Sequence, residues 1–259
     1  MNVQQAVRGV RSYDGMGRER PVDTRGTGVS GGGSLSVRVT TLLRTVILVI
    51  APAVVLVGHG YHPWIGSPGD PGFLQRLAAA VAADATRWWV SHFLIAVGSG
   101  LLMLAFLALR SHLRDAGEER WSVLGLPFII MGSTLYALLP AMEFAPVGAY
   151  RAGADIAAVQ GALMPLFMPI LLAGALLFAF GVLGFVIGMV RSDVLSGWLT
   201  WIVPGALVVM AATRFFPVGA AQLYVGPAAG IVALWPLAYT IWKQPQARLA
   251  RPSASAPHR

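Results

Sequence analysis

The sequence predicts an all-α, polytopic transmembrane bundle of six spanning helices with both termini in the cytoplasm. Three features predict it. Hydrophobic residues make up 56% of the chain and charged residues only 12%, whereas soluble domains carry about 25% charged residues, so lipid must solvate most of the molecule. The apolar residues gather into stretches of about 20, the length of an α-helix across roughly 30 Å of hydrocarbon, without the alternation of a barrel strand. Lys and Arg collect beside alternate ends of those stretches, as they do in cytoplasmic loops.

Residues 1–38 are rich in Gly, Arg, Ser and Asp and contain the run GTGVSGGGS. Without apolar periodicity they cannot offset their ordering entropy, and they predict a disordered cytoplasmic tail. The first apolar run starts too late for a secretory signal, and translation from Met16 is a second expectation for this end. Residues 39–243 form the transmembrane domain, and 244–259 predict a second disordered cytoplasmic tail.

Within the domain the first span covers about 42–58, with Arg44 extending toward headgroups and Pro52 as a kink. Residues 59–87 form the longest loop, punctuated by Pro63, Pro68, Pro71 and Gly72, and hold a short helix through LQRLAAAVAADA. The second span, about 88–109, opens with Trp88 and Trp89 at the interface and closes on Arg110. A short charged loop, RSHLRDAGEER, leads to the third span, about 122–141, which ends near Pro140. A fourth stretch, 162–190, is about 43 Å long as one helix at 1.5 Å per residue, too long for one straight crossing and too short for two. Tilt or a bend at Pro165 and Pro169 absorbs the excess, so it reads as one span. The fifth span covers about 195–212 and the sixth about 220–242.

Of the 19 Lys and Arg residues, only Arg76, Arg87, Arg151 and Arg214 fall outside under this arrangement. The asymmetry sets both termini inside. A net charge of +8 raises nucleic acid as a partner, but the basic residues lie in tails and short loops without interleaved aromatics, so the expected partner is the lipid bilayer and not nucleic acid. Lys243 is the only Lys and Ala, Gly, Pro and Val abound, a bias of GC-rich bacterial genomes. The expected location is therefore the bacterial cytoplasmic membrane.

The chain has no cysteine, which excludes disulfides, thiolate metal sites and thiol catalysis. It has no phosphate-binding loop, GxSxG or HExxH motif, so motif-defined enzyme classes gain no support. Four titratable residues sit at the outer edge: His59 and His62 after the first span, His92 one turn into the second, and Glu143 just past the third. Imidazoles with a carboxylate suit zinc, copper or iron, and these four are the candidate metal ligands, with heme as a further candidate group. Each also has a simpler reading. An imidazole at that depth can bond a helix carbonyl, and Glu143 can stay hydrated in the interface. No ionisable residue falls in the middle of a span, which argues against an ion-driven pump. Gly184-x-x-x-Gly188 and Gly226-x-x-x-Gly230 permit close helix approach, within the bundle first and against a second copy or another membrane protein second.

With His62-Pro63, the segment RWWVSHFLIAVGSGLLMLAFLALRSHLR and the later LLPAMEF, the chain resembles a group of small multi-pass membrane proteins of high-GC bacteria. That resemblance covers about residues 42–242 and implies the six-helix architecture, with no reaction, cofactor or catalytic residue to carry over. The first functional expectation is a non-enzymatic binding, transport-accessory or envelope-associated bundle, with no cofactor. A metal- or heme-dependent protein using the outer histidines and a small carrier for an apolar or lipid-like solute are the alternatives.

Overall fold

The computed structural model describes the backbone of residues 31–216 and 221–249 and the side chains of 37–216 and 222–243. The described elements are all helical: α1 (Gly31–Tyr61), α2 (Phe73–Ala83), α3 (Ala85–Asp115), α4 (Trp121–Met142), α5 (Phe144–Arg151), α6 (Ile156–Arg191), α7 (Leu199–Ala212) and α8 (Gly226–Leu249). A 3-10 turn, Thr213–Phe215, follows α7, and a π-helical turn, Ala221–Val225, precedes α8. Five segments are long and apolar enough to cross a membrane: Val37–Tyr61, Ala85–Asp115, Trp121–Arg151, Ile156–Arg191 and Gln222–Lys243. The stretch expected as a fifth crossing differs from them, because α7 with its 3-10 turn is apolar but shorter.

Local chemistry explains where the helices begin. Asp84 caps α3, its carboxylate accepting the Arg87 amide at 2.8 Å. Asp155 caps α6 in the same way, accepting the Ala158 amide at 3.0 Å. Each satisfies a donor that a helix start leaves unpaired. Several boundaries differ from expectation. α1 reaches back to Gly31 and α8 forward to Leu249, into segments read as tails, while the remaining tail residues, 1–30 and 250–259, lie outside the described residues. α3 continues through Arg110 and His112 to Asp115, so half of the charged loop is helix. α4 ends at Met142, within a residue or two of the expected boundary near Pro140, and the chain turns at Glu143 before resuming as α5. α6 is one continuous helix through Pro165 and Pro169, about 54 Å long at 1.5 Å per residue.

α1, α3, α4, α6, α7 and α8 pack in chain order as a closed ring, each against the next and α8 back against α1. Phe106 of α3 fills the centre, edge-on to Phe178 at 5.7 Å and Phe185 at 5.0 Å between ring centroids. Large apolar side chains such as Leu166, Phe180, Leu183 and Trp201 are exposed on the outer surface, a distribution suited to a lipid surround.

Helix spacing is closest between α4 and α6. A Cβ on Gly132 would sit 2.5 Å from the Phe178 nitrogen, and one on Gly184 would sit 2.9 Å from both the Gly125 Cα and the Trp121 carbonyl oxygen. Gly188 faces Glu118, and Gly230 faces Met210 and Pro52. Gly184, Gly188, Gly226 and Gly230 are all buried. The close approaches at Gly184 and Gly230 are to other helices of the bundle, and that at Gly188 is to the Glu118 side chain in the loop between α3 and α4.

At the end of the bundle away from His59, Arg44 of α1 reaches Asp115 of α3 at 2.6 Å and bonds the Ser111 hydroxyl. Arg120 and Arg191 both lie over the Trp121 ring, at 5.3 and 5.0 Å. Glu118 accepts the Trp121 and Ser122 amides there. Burial alone would raise its carboxyl, but hydrogen bonds from Ser122 and from the Trp121 and Arg120 backbone outweigh it and hold it below the usual carboxylate range.

Candidate functional site

The opposite end of the ring holds a cavity of about 100 Å³. The end of α1, the start of α3, the end of α4, the start of α6 and the turn before α8 all meet there, with α2 beside them. All four predicted residues, His59, His62, His92 and Glu143, line it, together with Tyr136, Gln160 and Gln222.

Backbone carbonyls orient two of the imidazoles. His59 Nδ1 lies 2.8 Å from the Val55 carbonyl oxygen, and His92 Nδ1 lies 2.7 Å from that of Trp88. A carbonyl only accepts, so Nδ1 donates in each case, and Nε2 of the neutral ring is left as an acceptor. His62 follows α1 directly, its amide donating to the Gly58 carbonyl at 3.1 Å. Its ring packs edge-on against His92 at 4.8 Å and tilted against Trp88 at 5.2 Å. Burial, then the neighbouring His59 and Arg87, lower the His62 pKa to about 4, against an opposing hydrogen bond to Pro63.

Trp88 faces into the protein: it is 1% exposed, and its indole donates to the Glu143 carbonyl at 3.0 Å, tying α3 to the α4–α5 joint. One expectation is corrected here: Glu143 is not a solvated carboxylate. It is 8% exposed, because the turn between α4 and α5 directs it against α6, where Gln160 Nε2 donates to its Oε1 at 2.9 Å. Glu143 Oε2, Gln160 Oε1 and His62 Nδ1 are buried without a hydrogen-bond partner among the described residues.

The four predicted residues therefore share one cavity, but proximity is not coordination. Among the described residues, no group of three or more His, Asp or Glu side chains is placed to hold a metal ion. Gln160, Gln222 and Arg214 had no part in the predicted site. Arg214, counted as an outer loop cation, is only 6% exposed, its guanidinium carbon 3.6 Å from the Phe178 ring centre and 4.1 Å from that of Tyr136. It lines a second cavity of about 30 Å³, which shares His59, Tyr136 and Gln222 with the larger one. A polar residue such as Gln160 at the start of a long apolar helix was the one available signal for this side of the site.

No protein-family model matches this chain, and no curated protein or solved structure shows significant similarity to it.

Proposed function

We propose that this is a six-span protein of the bacterial cytoplasmic membrane, with both termini inside, that binds a small hydrogen-bond-donating solute at its outer end without transforming it. The closed ring supports the sixth crossing. His59 at the end of α1, Arg214 just past α7 and Gln222 just before α8 line a common cavity, so α7 runs toward the same end as α1 and α8 runs away from it. The Arg and Lys distribution supports the orientation.

The observation that carries the binding reading is the surplus of acceptors. Glu143 Oε2 and Gln160 Oε1 are buried and, among the described residues, unpartnered, beside two imidazoles whose backbone bonds leave Nε2 as an acceptor. Buried acceptors are costly unless paired, and a donor of ammonium or short-amine size would pair them. A drug-sized ligand needs a pocket of about 300 Å³ or more, so the solute is small. A metal reading has one supporting feature, the Nδ1–carbonyl bonds, because metal-binding imidazoles are oriented in this way.

Two measurements test the proposal. Since the chain has no cysteine, single cysteines report topology cleanly. An impermeant maleimide should label Trp64→Cys and Phe216→Cys in intact cells, and Glu119→Cys and Ser196→Cys only after lysis. Equal access of Ser196→Cys and Phe216→Cys would remove the crossing by α7. For binding, methylammonium gluconate should raise the melting temperature of purified protein above that in sodium gluconate, and Glu143→Gln should abolish the difference. Stoichiometric zinc binding with no methylammonium effect would favour the metal reading instead.

A further inference from the structure

The second cavity carries an inference independent of what the larger one holds. Arg214 is a buried cation with no anion paired to it among the described residues. Among those residues its buried Nη1 has no hydrogen-bond partner either. The adjoining stretch 217–220 reads Pro-Val-Gly-Ala and contains no acid. Glu143, the carboxylate that lines the neighbouring cavity, forms no ion pair with Arg214. Guanidinium stays charged in proteins, so this charge cannot be discarded by proton loss.

The rings of Phe178 and Tyr136 return part of the desolvation cost through cation–π contact. Leaving the charge otherwise unpaired is strongly unfavourable. The 30 Å³ space beside Arg214 is bounded by Pro52, Val55, His59, Thr213 and Gly230. It has room for about two water-sized species, which suits a monatomic ion and is too small for a phosphate ester, a lipid headgroup or an organic acid. We propose that Arg214 and this cavity form a binding site for a small monovalent anion of the chloride class. Such an ion would neutralise the guanidinium where α1, α7 and α8 meet.

The test uses full-length protein purified in chloride-free sodium gluconate. Replacing gluconate with chloride at constant ionic strength should raise the melting temperature by several degrees, as a ligand of the native state does, and bromide should act likewise. Chloride titrated calorimetrically should bind with a stoichiometry of one. Arg214→Gln should abolish both signals, and Arg214→Lys should weaken binding by about tenfold or more, because it lacks the planar fork. Should Arg214→Gln fail to fold, the wild-type comparison still decides. No difference between chloride and gluconate overturns the proposal, and so does a chloride effect that persists in Arg214→Gln. A larger effect from sulfate than from chloride overturns the size assignment. None of these arms contains an amine, so they read independently of the methylammonium experiment.

Discussion

Replacing Gly132 with Ala adds one methyl group at the tightest crossing in the molecule. That methyl would lie 2.5 Å from the Phe178 nitrogen, 2.8 Å from its Cα and 2.9 Å from the Gly174 carbonyl oxygen, against an ordinary contact of 3.4–4 Å. All three are backbone atoms of α6 and cannot rotate away. Relief therefore requires α4 and α6 to separate locally by about 1 Å, a gap that forfeits a quarter to a half of each dispersion contact along the seam. Phe178 also packs against Phe106 and beneath Arg214, so the displacement reaches the ring centre and the second cavity. The expected cost is about 2–3 kcal/mol, the upper part of the range for an overpacked core. Gly100→Ala supplies the control, because a Cβ there meets nothing within 4 Å; it should be neutral or slightly stabilising, by up to about 1 kcal/mol from helix propensity. Reversible unfolding in mixed micelles, followed by circular dichroism, measures both. If Gly132→Ala unfolds within about 0.5 kcal/mol of wild type, the α4–α6 backbone contact does not limit stability and the reasoning fails.

Three further outcomes follow from features already described. His62 titrates near 4 when folded and near 6.5 when unfolded, so between those values the unfolded chain holds more protons. Stability should be full above pH 6.5, fall by about 3 kcal/mol toward pH 4 and then level off, and His62→Gln should remove that share of the slope in pH-dependent unfolding. Asp155→Ala deletes the cap of α6 and should cost about 1 kcal/mol, with amide exchange rising in the first turn and not near Arg191. Asp115→Asn breaks the partly exposed pair with Arg44; it should cost about 0.5 kcal/mol at low salt and less at high salt, because solvent and ions screen that pair.

The long apolar stretches made the helical bundle legible, because hydrophobic length is a local property. His59, His62, His92 and Glu143 were legible for a related reason: each is a polar residue at the same end of its span, and antiparallel packing brings such ends together. Their partners were not. Gln160 and Gln222 matter only through what faces them, and Arg214 reads as a loop cation until Tyr136 of α4 and Phe178 of α6 pack against it. Glycines four apart revealed only part of the tight seam: they include Gly184 but not Gly132, which meets Gly174 and Phe178 across helices. Pro140 lies inside α4, the helix running on to Met142 because the chain stays in the α region through Glu143.

The contact between α8 and α1 has a consequence for assembly. Pro52 of α1 meets Gly230, and the Val49 carbonyl accepts from the Trp235 indole at 3.2 Å. α1 thus finds one of its two ring neighbours only after α8 has been made, because α1 opens the ring and α8 closes it. Until then the nascent bundle has an open side, and α8 acts as its keystone. A chain truncated before Gly226 would keep its longest helices and lose closure, presenting α1 and α7 to whatever membrane surveillance recognises an unfinished bundle.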